Sequence, residues 1–351
     1  MSIAALTMGL GAPGGKDPNR IIAPDYIATI SNSGTKVFTY DVDTETLSDV
    51  SSTYISSGAP ASAGGYEGIH VTPNGEKMTA TGWTTPLRCA TWDLTTSAPW
   101  TRYDQSSLPI GSSGNALGGT PALNSRGSYV TVSTQTSTYR STATGNSWTD
   151  IGYSGYVRLG AGHNKLYLAN SNTSLRVYDY TAAPSYRETV NCGSSGRMSC
   201  SEREYLPNSY TDSPKNEIIA VSGATSALVI YKTASDSYAV LRQGSVSDSL
   251  PTTYGAGVTR DGTRAVFCDG SKAYIYDIDP DAETASLKTS FDIGQAVGFS
   301  GDCDIFPSGN AIAVMDASTM GIYDINGNLL DTISAGTYGL TCIYDGVNAT
   351  A

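Results

Sequence analysis

The sequence predicts an all-β chain of seven four-stranded antiparallel units that close into a ring. Three observations lead to this prediction: an aromatic strand ending recurs at a steady period, turn-forming pairs recur at one place in the unit, and a lone C-terminal strand supplies what the first unit lacks. Composition agrees, because the 38 glycines and the 15% charged fraction suit short strands joined by tight turns.

An aromatic residue, usually followed by an acid, ends one strand in each unit. The seven aromatic residues are Tyr40, Trp92, Tyr139, Tyr178, Tyr231, Tyr276 and Tyr323. Their successive spacings are 52, 47, 39, 53, 45 and 47 residues, against roughly 40–50 for a repeat of four strands. We interpret these side chains as structural, because each can pack between neighbouring sheets, while the acid can cap the following turn.

The remaining strands follow from the same repeat. Short apolar runs predict a second strand in every unit, at residues 26–32, 77–83, 128–134, 165–171, 217–223, 264–270 and 311–317. More polar runs predict fourth strands at residues 100–105, 148–152, 186–190, 238–244, 287–294 and 329–335. The turn before the second strand carries pairs such as Asn74-Gly75 and Asp261-Gly262, which tolerate positive φ and favour a hairpin.

The C-terminal run at residues 338–344 has the character of a first strand. We expect it to pair with the N-terminal strands, because closing the ring removes an open sheet edge. Over residues 21–346 the chain resembles the seven-bladed β-propellers of the WD-repeat and YVTN-like type in strand order, period and aromatic ending, although the Gly-His pair that often starts a WD repeat is missing. The resemblance implies a seven-bladed β-propeller at residues 21–351, preceded by a docking or flexible arm at residues 1–20.

The net charge and the cysteine content limit which partners the chain could bind and which covalent links it could form. The formal net charge of −11 opposes nucleic-acid binding, which needs clustered Lys and Arg, and no apolar run is long enough to insert into a membrane. Among six cysteines, Cys192 and Cys200 lie close in sequence and could form a disulfide, whereas buried free thiols are the alternative.

Few residues could carry chemistry. The two histidines are His70, in a predicted first strand beside the channel, and His163, in a turn, whereas a metal site usually needs three or more ligands. Acidic segments at residues 277–281 and 302–304 offer oxygen ligands, but the first fails the EF-hand pattern and fits a hairpin turn. Neither a nucleophile elbow nor a phosphate loop occurs. We therefore predict no catalytic residue and no cofactor, with calcium at an acidic segment as the alternative.

The longest departure from the repeat, residues 191–216, predicts a loop for partner contact, because insertions on one face of a repeat protein often bind partners. Its candidate contact residues are Arg197, Glu202, Arg203, Glu204 and Tyr205.

The sequence favours a non-enzymatic binding or structural protein. Residues 1–11 are similar to short N-terminal segments of phage virion proteins, which implies a tail or capsid-surface component that contacts other virion or assembly proteins, a surface glycan or a receptor. The expected location is the virion, with secretion as the alternative. Two other functions stay open: a glycan- or lactone-acting hydrolase with its active site at a channel mouth, and a lectin that stacks sugars on tryptophans. The tryptophans are Trp83, Trp92, Trp100 and Trp148.

Overall fold

Seven four-stranded antiparallel sheets make up the molecule, as the sequence predicts. The computed structural model describes residues 20–31, 34–56, 68–72, 74–82, 88–105, 121–124, 126–133, 137–152, 157–162, 165–170, 174–181, 183–192, 198–201, 215–223, 226–243, 253–294, 301–316, 318–335 and 339–343. Helix is confined, within these ranges, to the four-residue α1 (Ser51–Tyr54). No helix there has the length and apolar character needed to cross a lipid bilayer.

Each sheet is one blade, and its innermost strand is given first. Blade 1 is β28 (Gly339–Ile343), β1 (Tyr26–Ser31), β2 (Gly34–Asp41) and β3 (Thr46–Asp49). Blade 2 is β4 (Gly68–Val71), β5 (Lys77–Gly82), β6 (Arg88–Asp93) and β7 (Thr101–Gln105). Blade 3 is β8 (Pro121–Leu123), β9 (Tyr129–Ser133), β10 (Thr138–Thr142) and β11 (Thr149–Asp150).

The other four blades follow the same order from the channel outward. Blade 4 is β12 (Val157–Gly162), β13 (Lys165–Asn170), β14 (Ser174–Asp179) and β15 (Ser185–Val190). Blade 5 is β16 (Met198–Cys200), β17 (Glu217–Val221), β18 (Ala227–Lys232) and β19 (Ser237–Gln243). Blade 6 is β20 (Gly255–Val258), β21 (Arg264–Cys268), β22 (Lys272–Asp279) and β23 (Thr284–Asp292). Blade 7 is β24 (Asp302–Ile305), β25 (Ala311–Met315), β26 (Thr319–Asp324) and β27 (Leu329–Ser334).

The ring closes by strand pairing between the two ends of the chain. β28 pairs antiparallel with β1, in register from Tyr26 opposite Ile343 to Ile30 opposite Gly339. Each innermost strand also contacts the innermost strands of both neighbouring blades, so the seven innermost strands enclose the channel. The predicted closure by the C-terminal strand is therefore confirmed.

The hydrophobic core lies between blades, because each sheet buries both faces against its neighbours. Each of the seven apolar clusters lies at one junction of adjacent blades. Middle strands such as β17 and β25 are buried along their whole length, whereas most residues of outer strands such as β23 are exposed. This gradient accounts for the apolar second strands and polar fourth strands in the sequence.

Candidate active site

The first hairpin of each blade fixes how far along the channel axis each side chain of the innermost strand lies, and we call this position its height. In five blades, the N–H of the residue after the innermost strand donates to a carbonyl near the start of the second strand; these donors are Thr72, Asn124, Ser201, Thr259 and Phe306. The residues two positions earlier lie at one height; they are His70, Ala122, Ser199, Gly257 and Asp304.

Polar side chains at this height bond to the next blade around the ring. The three bonds run from Leu123 N to His70 Nδ1 at 3.2 Å, from Val258 N to Ser199 Oγ at 3.1 Å, and from Cys342 N to Asp304 Oδ2 at 2.8 Å. In the first two bonds, the donor directly follows the next blade's residue at this height. The same relation assigns Thr341 of β28 to this height in blade 1.

Asp304, Thr341 and His70 thus lie at the same height in three consecutive blades, and we call these residues the polar arc. β24 contacts β28, and β28 contacts β4, so blade 1 lies between the two titratable side chains. All three residues are half-buried, which leaves part of each accessible from the channel. The Thr341 hydroxyl also forms a hydrogen bond with the Asp304 carboxyl.

Asp304 is the unusual ionisable group of the arc. Burial raises its pKa to about 7, and the nearby charge of Asp302 acts in the same direction. Hydrogen bonds from the N–H groups of Cys342 and Ile305 stabilise the charged form and oppose the increase. The Ile305 N–H reaches Oδ1 at 2.8 Å, so both carboxyl oxygens are held by backbone donors. A carboxyl with a pKa near neutrality can both accept and return a proton at physiological pH.

His70 supplies a neutral donor at the other end of the arc. Burial lowers its pKa to about 4, so the imidazole is uncharged at neutral pH. Because Nδ1 accepts the Leu123 N–H, the single ring proton belongs on Nε2. His70 can therefore donate one hydrogen bond without carrying a positive charge.

The carboxylates of the acidic hairpin at residues 277–281 form hydrogen bonds within the protein. The Asp277 carboxylate accepts bonds from Arg264 Nε at 2.8 Å and Lys288 Nζ at 3.0 Å. Asp279 Oδ1 accepts the N–H groups of Asp281 and Ala282 and so caps the turn. Across the described ranges, no group of three or more His, Cys, Asp or Glu residues is placed to hold a metal ion.

Most of the repeat aromatics lie in the core between blades. Tyr40, Trp92, Tyr139, Tyr231, Tyr276 and Tyr323 are buried, and Tyr178 is half-buried. Acids that follow them cap turns in blades 1, 2 and 7, where Asp41, Asp93 and Asp324 accept backbone N–H groups.

Several sequence-based candidates do not contribute to a site. Cys192 and Cys200 are not joined by a disulfide, so the suggested bridge is not formed. Trp92 and Trp100 are buried, which makes both unsuitable as sugar-stacking platforms, and Trp148 is half-buried. The remaining candidates lie outside the described residues; they are Trp83, His163, Arg197, Glu202, Arg203, Glu204 and Tyr205.

The sequence singles out both His70 and the segment 302–304, but nothing in it indicates that they lie in one arc. A usable signal was present, because Asp304 and His70 each stand two residues before the residue whose N–H closes the first hairpin. Thr341 had no such signal, since blade 1 takes its innermost strand from the far end of the chain.

Comparison with known proteins identifies the class of fold. No protein-family model matches the sequence, and no curated protein matches it. A functionally unknown protein from Desulfotomaculum acetoxidans superposes with a TM-score of 0.64 at 11% identity, covering 92% of this chain and 99% of that one. The periplasmic gluconolactonase of Pseudomonas aeruginosa gives a TM-score of 0.61 at 10% identity, with 91% and 99% covered. A protein from Bacteroides uniformis described as a candidate 6-phosphogluconolactonase gives 0.60 at 11% identity, with 90% and 99% covered.

These neighbours correct two predictions made from the sequence. The prediction of a virion structural component is wrong, because the two neighbours named by activity are lactonases and none of the three is described as a virion protein. The prediction of a non-enzymatic protein is wrong for the same reason. At 10–11% identity the similarity itself shows the fold. The activity must therefore be argued from this chain's own residues.

Proposed function

We propose that this protein is a hydrolase that opens lactones, with the polar arc as its active site. The observation that carries the proposal is the half-buried Asp304, whose pKa is raised to about 7, in one arc with the neutral His70. The 6-phosphogluconolactonase and gluconolactonase names of two structural neighbours suggest a sugar lactone as the substrate class.

Lactone hydrolysis requires a base for water and a donor for the developing oxyanion. The Asp304 carboxylate takes a proton from water as the water oxygen bonds to the lactone carbonyl carbon. The Nε2–H of His70 donates to the carbonyl oxygen, which becomes negative. When the ring C–O bond breaks, Asp304 returns its proton to the leaving oxygen, giving an open-chain hydroxy acid.

The remaining arc contacts hold Asp304 in place. Thr341 donates to its carboxyl, and backbone N–H groups from two blades fix both oxygens. Gly257 of blade 6 leaves room on the other side, since a Cβ there would lie 2.5 Å from Asp304 Oδ1. Such fixed positioning reduces the reorganisation needed during the reaction.

The test is initial-rate hydrolysis of glucono-δ-lactone, measured in a pH-stat after subtraction of the spontaneous rate. We expect Asp304→Ser to lower kcat/KM by about 100-fold or more, the usual contribution of a general base. Serine is chosen because Ser199 accepts an equivalent N–H at the same height in blade 5. In the wild type, kcat/KM should increase with pH through about 7, as Asp304 loses its proton.

Ser199→Ala is the matched control, since it removes a hydrogen bond of the same kind three blades from His70. It should hydrolyse the lactone at the wild-type rate. If Asp304→Ser is folded and as active as the wild type, or if the wild type shows no enzymatic rate with aldonolactones, the proposal is wrong.

A further inference from the structure

Asp302 and Asp304 lie two residues apart on β24 and make matching contacts to β28. Asp302 Oδ2 accepts the N–H of Leu340 at 3.0 Å, and Asp304 Oδ2 accepts the N–H of Cys342 at 2.8 Å. Each Oδ1 accepts the N–H of the residue that follows it on β24, at 3.0 Å for Cys303 and 2.8 Å for Ile305. The two carboxyls therefore share one orientation and one partner strand.

The two acids differ in their access to the channel. Asp302 is buried, with 6% of its surface exposed, whereas Asp304 is half-buried. Asp302 is thus screened from a substrate that reaches Asp304. Its carboxylate instead contacts the protein: it accepts the Leu340 N–H of β28, and its charge acts on Asp304.

We propose that Asp302 is a positioning residue for Asp304: it anchors β28 at Leu340 so that the Cys342 N–H meets Asp304, and it holds a second carboxyl in the same orientation two residues away. This inference rests on the proposed function, because Asp304 is the base of that reaction. Asp302 touches neither water nor lactone in the reaction.

Among the described residues, the charge of Asp302 acts on Asp304 and raises its pKa. Blade 6 presents Gly255 and Gly257, whose missing side chains allow backbone contact with β24. The thiols of Cys303 and Cys342 lie next to Asp304, and burial raises the pKa of both well above the ordinary value, so they are uncharged at neutral pH, as is His70 at the other end of the arc.

The experiment follows Asp304 directly by carboxyl-carbon NMR titration of the full chain, without substrate. In Asp302→Asn the apparent pKa of Asp304 should fall below its wild-type value, because a like charge has been removed. The increase of kcat/KM with pH should move to lower pH by the same shift, while a substitution with a merely structural effect would lower the rate without moving the profile.

Asp302→Ser provides a second variant if the amide disturbs folding, since a hydroxyl can still accept the Leu340 N–H. Ser199→Ala should leave the Asp304 titration unchanged. An Asp304 pKa equal to that of the wild type in folded Asp302→Asn and Asp302→Ser overturns the inference. A lowered pKa in a protein without lactonase activity would retain the pairing of the two acids and reject only the proposed function.

Discussion

The Asp304 side chain carries a cost in stability that its role in the proposed site would explain. Its ordinary pKa of 3.8 is raised to about 7 in the folded chain, so folding favours the protonated carboxyl. The hydrogen bonds from Cys342, Ile305 and Thr341 do not fully replace water around the charged form. Functional carboxyls commonly carry this penalty.

The pH dependence of stability should reveal that penalty. Because the folded pKa lies above the unfolded value of 3.8, the contribution of Asp304 to the free energy of unfolding is fully present below about pH 4 and is lost as pH rises through about 7. We expect Asp304→Ser to gain stability relative to the wild type between pH 4 and pH 8, measured by urea unfolding at several pH values.

His70 titrates with the opposite sign, since its folded pKa of about 4 is depressed. Its contribution is present above pH 6.5 and lost as pH falls through about 4. The comparison of Asp304→Ser with the wild type cancels this effect, because both proteins retain His70. A difference in unfolding free energy that stays constant with pH would contradict a raised pKa at Asp304.

Between blades, basic side chains at the start of second strands bond to the next hairpin turn. Arg264 of blade 6 donates to Gly309 O and Asn310 Oδ1 of blade 7, both at 2.8 Å, and its Nε bonds to Asp277. Lys77 of blade 2 makes the equivalent bond to Gly127 O of blade 3 at 3.2 Å. These bonds join neighbouring blades at the edge, beyond the apolar core.

Gly309→Ala should weaken the Arg264 contact. Gly309 has φ +69°, and an added Cβ would lie 2.9 Å from Arg264 Cδ, which three hydrogen bonds hold in place. Gly152→Ala is the matched control, because Gly152 has φ +77° but nothing within 4 Å of the added Cβ. Both variants should lose about 1–2 kcal/mol of unfolding free energy, measured by urea unfolding, because of left-handed backbone strain. Gly309→Ala should lose a further amount because its Cβ displaces Arg264. Equal losses would show that Arg264 adjusts freely.

The blades also show which features a sequence can predict. Strand order and turns followed from local chemistry, because glycines and acids at turns act within a few residues. The register of strand pairing could not be predicted in this way. In blade 2, Trp92 pairs with Met78, which lies one residue after the Lys77 carbonyl that closes the hairpin. In blade 5, Tyr231 pairs with Glu217, which lies one residue before the corresponding carbonyl of Ile218. A two-residue shift keeps the aromatic on the same face, so the sequence pattern looks alike in both blades.

For the whole molecule, the junction of blades 7 and 1 differs from the others because it joins distant parts of the chain. β28 lies more than 300 residues from β1 in sequence, and the Asp302 and Asp304 carboxylates connect it to blade 7. The polar arc spans this junction, so the proposed site requires a closed ring. A sequence can indicate that a strand is missing from the first unit, but contacts across this junction depend on the three-dimensional closure.

Removing residues 339–351 should therefore cost both stability and activity, because it deletes β28 and leaves Asp302 and Asp304 without their Leu340 and Cys342 donors. We expect Tm to fall by about 10 °C or more, since loss of several kcal/mol in a chain of this size shifts Tm by a few degrees per kcal/mol.

Removing only residues 344–351 keeps β28 and should preserve both Tm and lactonase activity. A synthetic peptide of residues 336–351 should raise the Tm of the longer truncation as the peptide concentration increases. The peptide should bind the folded ring but not the unfolded chain, and such binding shifts the equilibrium towards folding. Equal Tm values for the two truncations, or a peptide without effect on a cooperatively folded truncation, would show that β28 does not close the ring.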